Sequence, residues 1–368
     1  MISKIKKQDL SFLFLELQKT HNIIGHKIEK DVLMLSSIDF GDIPAGYTDS
    51  QAAGMYRLVK SDNHDIFTFS SGPDSFKRYL NPPYSEVFAY QVSKRKFNAS
   101  AIKSYDNPFA FFGMRACDRA ALKFYDRVFL EGVVRDSCYE TLRDNLLIIA
   151  LNCLYPGDNC FCLSAGTGPE FTDGYDLLIT ELEEEFLLET GSRTGSRLIN
   201  SLPLISVNQK DIEEKALRIK NCKEKFKKTI IFSELPELVY RNLEHPRWSD
   251  IAGRDLECGN CTQVCPTCFC TSAFYNLEFR GIAKNFSTLS GKKIKKWDSC
   301  FSRNFARVHG GNFRISRRAR YRHWFAHKLA YSMEQFGLLG CVGCGRCITW
   351  CPAGIDITQE LEALRDVR

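Results

Sequence analysis

The pattern of apolar and polar positions predicts alternating strands and helices over residues 60–235, whereas residues 1–59 show no clear pattern. Four short apolar runs, each near turn residues, predict strands: 109–112, Leu146–Leu151, 175–180 and Glu185–Thr190. After a turn at Gly113, apolar side chains recur at helical spacing and predict a helix over 118–130. Because this alternation is typical of a parallel sheet covered by helices, we expect residues 1–240 to form an α/β domain with a mainly parallel sheet.

The remaining residues show a different pattern. A charged stretch at 210–228 predicts a helix leading to the boundary, and residues 9–21 can form an opening helix. Residues 316–336 carry aromatic and aliphatic side chains on one face, and Gly337 is placed to end that helix. The chain is therefore expected to be an α+β multidomain protein, in which residues 241–368 form an α-helical domain.

Closely spaced cysteines near the C-terminus carry the strongest chemical signal. They follow the spacing C-x2-C-x2-C-x3-C-P: Cys341, Cys344, Cys347 and Cys351, followed by Pro352. In two-cluster ferredoxins this run binds a [4Fe-4S] cubane through three thiolates, while the fourth cysteine binds the neighbouring cluster. A zinc knuckle also uses closely spaced cysteines, but normally two from each arm. The run therefore predicts an iron–sulfur cluster, and the helical domain over residues 241–368 is expected to be ferredoxin-like.

A partner run lies upstream at Cys258, Cys261 and Cys265, with Asp255 where its first cysteine should stand. If the runs exchange their fourth ligands, Cys265 joins the downstream cluster and Cys351 joins Cys258 and Cys261. That second cluster then lacks one ligand. The candidates are Asp255, Cys268, Cys270 and Cys300; a cysteine is favoured because thiolate binds cluster iron more strongly than carboxylate.

Four further cysteines predict a third cluster in the first half. They follow two apolar runs: Cys117, Cys153, Cys160 and Cys162. If those runs are neighbouring parallel strands, their carboxyl-end loops converge at one edge of the sheet. A third [4Fe-4S] cluster is the favoured interpretation; a zinc site and four unliganded thiols are the alternatives. Cys138 and Cys222 stand apart and are expected to be inert.

Composition narrows the class of protein. Sixteen cysteines in 368 residues, with no secretory signal at the start, favour metal or redox chemistry over disulfides. No apolar run approaches the length of about 18 residues that is needed to span a bilayer, so we expect a cytoplasmic protein. Neither a dinucleotide-binding glycine motif nor a P-loop is present. Any nicotinamide is therefore expected to bind elsewhere in a complex.

Residues 280–328 are strongly basic, with Asp298 as their one acidic residue and several aromatic residues between the Lys and Arg positions. This pattern can bind nucleic acid. It can equally stabilise anionic clusters and attract acidic redox partners. Because the net charge is only +6, we favour cluster support and subunit docking and expect no nucleic-acid partner.

These motifs together resemble those of a known family. The segments around Cys117, Cys153, Cys268, Cys300 and Cys344 resemble the beta subunit of cytosolic sulfhydrogenases, which are nickel–iron hydrogenases that exchange electrons with NAD(P). They are also similar to the electron-transfer subunit of anaerobic sulfite reductase. The resemblance covers residue 50 to the end, and it usually includes a cysteine where this chain has Asp255.

The resemblance implies an electron-transfer subunit that links a flavin- and NAD(P)-binding subunit to a catalytic hydrogenase or sulfite reductase subunit. Hydrogen or sulfite chemistry would then belong to the partner, because the chain lacks a nickel-binding signature and an evident siroheme site. The rival hypotheses are a sulfur or disulfide reductase acting at its own cluster near Asp255 and Cys300, and an iron–sulfur protein that binds nucleic acid.

Overall fold

A computed structural model describes residues 1–93, 96–101, 108–278 and 288–365. Its strands, in chain order, are β1 Ile2–Lys6, β2 Asn22–Glu29, β3 Val32–Ser37, β4 Tyr47–Ala52, β5 Met55–Lys60, β6 Tyr84–Ser93, β7 Lys96–Ala101, β8 Phe109–Met114, β9 Leu146–Leu151, β10 Leu177–Glu181, β11 Glu185–Thr190, β12 Thr271–Glu278, β13 Thr288–Trp297, β14 Arg307–Val308 and β15 Gly311–Asn312.

The α-helices, in chain order, are α1 Leu10–Gln18, α2 Lys77–Leu80, α3 Ala116–Phe129, α4 Ser137–Asp144, α5 Arg193–Ile199, α6 Gln209–Glu224, α7 Leu235–Arg241, α8 Arg247–Arg254, α9 Asn260–Val264, α10 Arg317–Ala326, α11 Ser332–Phe336, α12 Arg346–Thr349 and α13 Ile357–Arg365. One π-helical segment, His327–Tyr331, joins α10 to α11. Strands β9 and β11 have the predicted bounds, and the predicted helices at 9–21, 118–130 and 210–228 correspond to α1, α3 and α6.

Seven strands of the described chain form the main sheet, in the order β1-β11-β10-β9-β8-β2-β3. Its four central strands are parallel, while β1, β3 and β11 pair antiparallel. The expectation of parallel pairing is therefore confirmed for the four central strands and wrong towards both edges of the sheet, where the pairing is antiparallel. The physical reason is that short turns join β2 to β3 and β10 to β11, and a tight turn can connect only antiparallel strands. Lys30 and Asp31 make the first of these turns, both with positive φ.

The centre of this sheet is buried on both faces. Along β9, Leu147, Ile149 and Leu151 pack into a core with α1 and α5, because successive side chains point to opposite faces. Leu146 and Ile148 pack on the other face with α3 and α4. This explains the unbroken apolar run, and it fixes the ends of β8 and β9 next to each other.

A second sheet joins the two predicted domains. It is antiparallel, with the order β12-β13-β6-β7, and pairs β13 with β6 over nine residues from Thr288↔Ser93 to Lys296↔Tyr84, with one register shift. The C-terminal part is therefore not wholly helical as expected, because alternating side chains at 271–278 and 288–297 form strands that pair with the first half. The boundary at residue 240 stays a prediction.

The remaining helices enclose a third core. Trp248, Phe325 and Leu329 lie at its centre, together with Phe161 from the first half of the chain. The predicted helix at 316–336 begins after Ser316, whose side chain accepts a hydrogen bond from Ala319 N. It ends at Gly337, which has a φ of 70°. Its π-helical turn was not predicted; such turns are frequent at functional sites.

Candidate functional site

The two cysteine runs fold into matching local structures. In each, a glycine in the left-handed region heads a short helix: Gly259 (φ 70°) before α9 and Gly345 (φ 72°) before α12. Each glycine follows a cysteine and precedes another by two residues, at Cys258/Cys261 and Cys344/Cys347. The positive φ is nearly free of cost only for glycine. The runs are therefore a repeat in backbone geometry as well as in spacing.

Four thiols lie near one another around the downstream run and are called here the Cys341 site: Cys341, Cys344, Cys347 and Cys265. Burial, followed by the negative charges of the other three, raises the pKa of the Cys347 thiol well above its ordinary value. Such mutual repulsion is expected for ligands that are stabilised as thiolates only when iron is bound. The structure thus brings Cys265 to the downstream run.

A buried lysine lies against this site. Lys328, in the π-helical turn, donates to Cys265 Sγ at 3.1 Å, to Cys268 Sγ at 3.6 Å and to Gly340 O at 3.0 Å. Burial alone would lower the pKa of Lys328, but the charges of Cys265 and Cys268 outweigh it and raise the pKa well above its ordinary value. Sequence reasoning placed Lys328 only within the basic stretch 280–328 and did not single it out, because spacing alone does not show which of many basic side chains reaches a thiol.

The upstream run lines a second cavity, called here the Asp255 cavity: Asp255, Cys258, Cys261 and Cys351. Asp255 is only 8% exposed; its Oδ1 accepts from Glu257 N at 3.0 Å, while Oδ2 is buried without a partner. Burial, then the charges of Cys351, Asp255 and Cys258, raises the pKa of Cys261. An unpartnered buried carboxylate oxygen among three thiols fits a metal cluster that takes its fourth bond from Asp255.

Four cysteines of the first half line a third cavity, called here the Cys160 cavity: Cys117, Cys153, Cys160 and Cys162. Strands β8 and β9 are parallel neighbours, and the loops after them converge there. The buried guanidinium of Arg115 also lines the cavity; its Nη2 donates to Phe69 O, but Nε and Nη1 have no partner. Four thiols beside a guanidinium with unpaired N–H groups are suited to bind an anionic group.

Cys222 does not stand apart as expected. Fully buried on α6, it hydrogen-bonds to Cys153 and, with the nearby charge of Arg115, lowers the pKa of the Cys153 thiol to about 6. Sequence spacing could not reveal this pairing, because Cys222 lies in a separate helix. Cys138 is half-exposed and lies outside all of these cavities.

The Cys160 cavity and the Cys341 site are in direct contact. Phe161 N donates to Gly343 O at 2.8 Å, and Cys344 lines the Cys160 cavity. A Cβ on Gly343, which has φ of 65°, would lie 2.6 Å from Cys162 N, and one on Gly345 would lie 2.5 Å from Asn159 O. Both glycines of the run therefore permit a backbone approach that any side chain would prevent.

The other three candidate ligands do not line the Asp255 cavity. Cys268, Cys270 and Cys300 line a separate cavity beside Lys328. Although a cysteine was favoured as the fourth ligand of the upstream run, the geometry favours Asp255. In the described part of the chain, no three His, Cys, Asp or Glu side chains converge so as to hold a single metal ion. The ligands of a cubane surround four irons and need no such point of convergence.

Many cations of the basic stretch that the structure describes are paired with acids. Arg317 and Arg320 form ion pairs with Glu257, and Arg318 and Arg322 with Glu244. Lys295 pairs with Asp136 of the first half of the chain. Residues 280–287 of the stretch lie outside the described residues. This pairing reduces the positive charge available to a polyanion such as nucleic acid.

Comparison with known proteins agrees with the cysteine motifs. Residues 254–355 match the family described as a 4Fe-4S dicluster domain. The chain is 34% identical to sulfhydrogenase 2 subunit beta of Pyrococcus furiosus over 266 residues, or 71% of this chain and 75% of that relative. No solved structure matches the chain. Among the described residues, no helix has the length and apolar character needed to cross a membrane.

Proposed function

Because the chain belongs to the family of sulfhydrogenase beta-like 4Fe-4S proteins, we propose that it relays electrons between a flavoprotein that binds NAD(P) and a catalytic subunit, for which we favour a nickel–iron hydrogenase. The coarser assignment, an iron–sulfur electron-transfer subunit, follows from the family itself. The neighbours on either side are inferred from the absence of nucleotide and nickel motifs in this chain.

The ligand sets follow from the three groups of thiols. The Cys341 site and the Cys160 cavity each supply four thiolates, and the Asp255 cavity supplies three thiolates and a carboxylate. A bound [4Fe-4S] cluster supplies a reversible one-electron centre whose potential depends on its ligands, nearby hydrogen bonds and burial. Lys328 and Arg115 place positive charge beside the thiolates and favour the added electron.

The observation that carries the proposal is the contact between the sites. Cys344 belongs to the Cys341 site and lines the Cys160 cavity, while Cys347 belongs to the same site and lines the Asp255 cavity. The Cys341 site therefore lies between the other two. A row of adjoining one-electron centres suits a protein that passes electrons from one partner to another. A protein that only stores one electron would need a single site.

The test is affinity purification of the tagged chain from its source under anaerobic conditions, followed by redox assays. We expect a flavoprotein and a nickel–iron subunit to copurify, and NADH or NADPH to reduce the clusters only when the flavoprotein is present. Robust oxidation of NADH or NADPH by the chain alone would contradict the proposal. A siroheme subunit in place of the nickel–iron subunit would keep the relay but assign it to sulfite reduction.

A further inference from the structure

Five cysteines are not assigned to the three sites, and three of these five lie together. Cys268, Cys270 and Cys300 line a cavity of about 540 Å³, together with the imidazoles of His323 and His327. This group of five side chains is called here the Cys300 cavity. Aromatic rings form much of the remaining lining: Phe124, Phe269, Phe305, Trp324 and Phe336. The cavity is many times larger than a single ion requires. Its lining is mostly apolar, and the thiols, the imidazoles and Lys328 are its main polar groups.

Strand pairing brings the thiols together. Cys270 directly precedes β12 and Cys300 follows β13, and these strands pair antiparallel from Thr271↔Trp297 onwards. Asp298 N donates to Cys270 O at 2.9 Å, which closes the end of the ladder. Cys270 and Cys300 therefore lie at the same end of this pair of strands.

His327 has a hydrogen-bond partner of the kind that metal-binding imidazoles use. Its Nε2 lies 2.9 Å from the side-chain oxygen of Gln335, which can only accept a hydrogen bond. The proton is therefore on Nε2, and Nδ1 carries the free lone pair. Imidazoles that bind metals usually donate their other nitrogen to such an acceptor, which fixes the tautomer. His323, one turn earlier, stacks on His327 with centroids 5.8 Å apart.

We propose that the Cys300 cavity holds a fourth [4Fe-4S] cluster, bound by Cys268, Cys270, Cys300 and His327. The cavity adjoins the Cys341 site, since Lys328 Nζ donates to Cys265 Sγ at 3.1 Å and to Cys268 Sγ at 3.6 Å. Because a cubane takes one ligand on each of four irons, three thiolates and one imidazole complete its set. The role of this cluster in electron transfer rests on the proposed function, whereas the binding of iron is inferred from the cavity alone.

The mixed ligand set determines how the fourth cluster differs from the others. A neutral imidazole replaces a thiolate, so the cluster carries one negative charge fewer than an all-cysteine cubane. Replacement of thiolate by imidazole raises the potential of iron–sulfur clusters. With Gln335 exposed at its edge, this cluster would be the most oxidising of the four and would lie near the surface, where an electron can leave.

Iron content of the full chain, produced and purified anaerobically with its clusters, tests the inference. We expect about sixteen irons in the wild type and about twelve in Cys300→Ser, since each cubane holds four. Cys138→Ser, which changes a half-exposed thiol outside the cavities, should keep the wild-type content. An unchanged iron count in Cys300→Ser, or stoichiometric zinc in the wild type, overturns the proposal.

Nitrogen couplings in pulsed EPR of the reduced protein provide an independent measurement, even if Cys300→Ser does not fold. The wild type should show one strongly coupled imidazole nitrogen, and His323→Ala should retain it. His327→Cys should lose the coupling, keep its iron and show a lower midpoint potential for one cluster. Absence of the coupling in the wild type, or its survival in His327→Cys, overturns the ligand assignment. Failure of the relay in the assembled complex, with iron and couplings intact, would count against the proposed function alone.

Discussion

The guanidinium of Arg346 and the carboxylate of Asp118 form a buried ion pair across the two halves of the chain. Nη2 of Arg346 donates to Oδ2 of Asp118 at 3.0 Å, and Nη1 lies 2.9 Å from Oδ1. Arg346 stands between Cys344 and Cys347, while Asp118 follows Cys117. The pair therefore ties the cluster loop of the second half to the start of α3 in the first.

Loss of this pair should destabilise the protein strongly. Asp118→Asn removes the charge that compensates a fully buried guanidinium, and breaking a buried ion pair in this way costs about 3–5 kcal/mol. Anaerobic urea unfolding, with iron content checked beforehand, measures the loss. Glu131→Ala breaks the exposed pair with Arg127 and should change the free energy of unfolding by about 0.5 kcal/mol or less. Equal effects of the two substitutions would contradict the structural role of the buried pair.

Lys328→Met should lower the midpoint potential of the cluster at the Cys341 site. The ammonium lies 3.1 Å from Cys265 Sγ, and its removal disfavours the reduced, more negative cluster. A unit charge about 6 Å from the cluster centre contributes about 3 kcal/mol at an effective dielectric constant of about 20, which corresponds to about 130 mV for one electron. An EPR-monitored redox titration measures the shift. Lys223→Met, on the exposed face of α6, should leave every potential unchanged; an unchanged potential in Lys328→Met would exclude this influence.

Asp255→Cys should convert the upstream cluster to four thiolates and lower its potential, because thiolate donates more charge to iron than carboxylate does. Asp255→Ala should leave one iron without a protein ligand and yield the EPR signal of a three-iron cluster on oxidation. Asp250→Cys adds an exposed thiol on α8 and should do neither. If Asp255→Ala keeps a four-iron cluster with the wild-type spectrum, another residue supplies the bond.

Cys160→Ser should remove about four irons from the full chain, because the Cys160 cavity then offers three thiolates for one cubane. The other clusters should retain their EPR signals, since their ligands come from other loops. Iron analysis and Mössbauer spectroscopy of anaerobic samples measure the change. Cys138→Ser is the matched control. Retention of all iron in Cys160→Ser, or equal loss in the control, would count against a cluster in this cavity.

The sequence by itself determined the local structure and the existence of the cysteine runs. The apolar run Leu146–Leu151 and the helical spacing after Gly113 depend on neighbours in the chain, so their structures could be predicted from periodicity. The spacing of Cys341, Cys344 and Cys347 likewise follows from one loop. Edge strands were predicted less well, because the hairpin turn at Lys30 and Asp31 lacks the Asn-Gly or Asp-Gly sequence that marks such turns.

Tertiary structure decided which side chains meet. Cys222 reaches Cys153 from another helix, Lys328 reaches Cys265 across 63 positions of the chain, and Asp255 enters its cavity with Cys351. His327 and Cys300 line one cavity although they belong to a π-helical segment and to the loop after β13. Such contacts depend on how separate elements pack, and a residue's type carries no information about a partner so distant in sequence. Spacing thus predicts the ligands that share a loop, and packing alone selects those that complete each site.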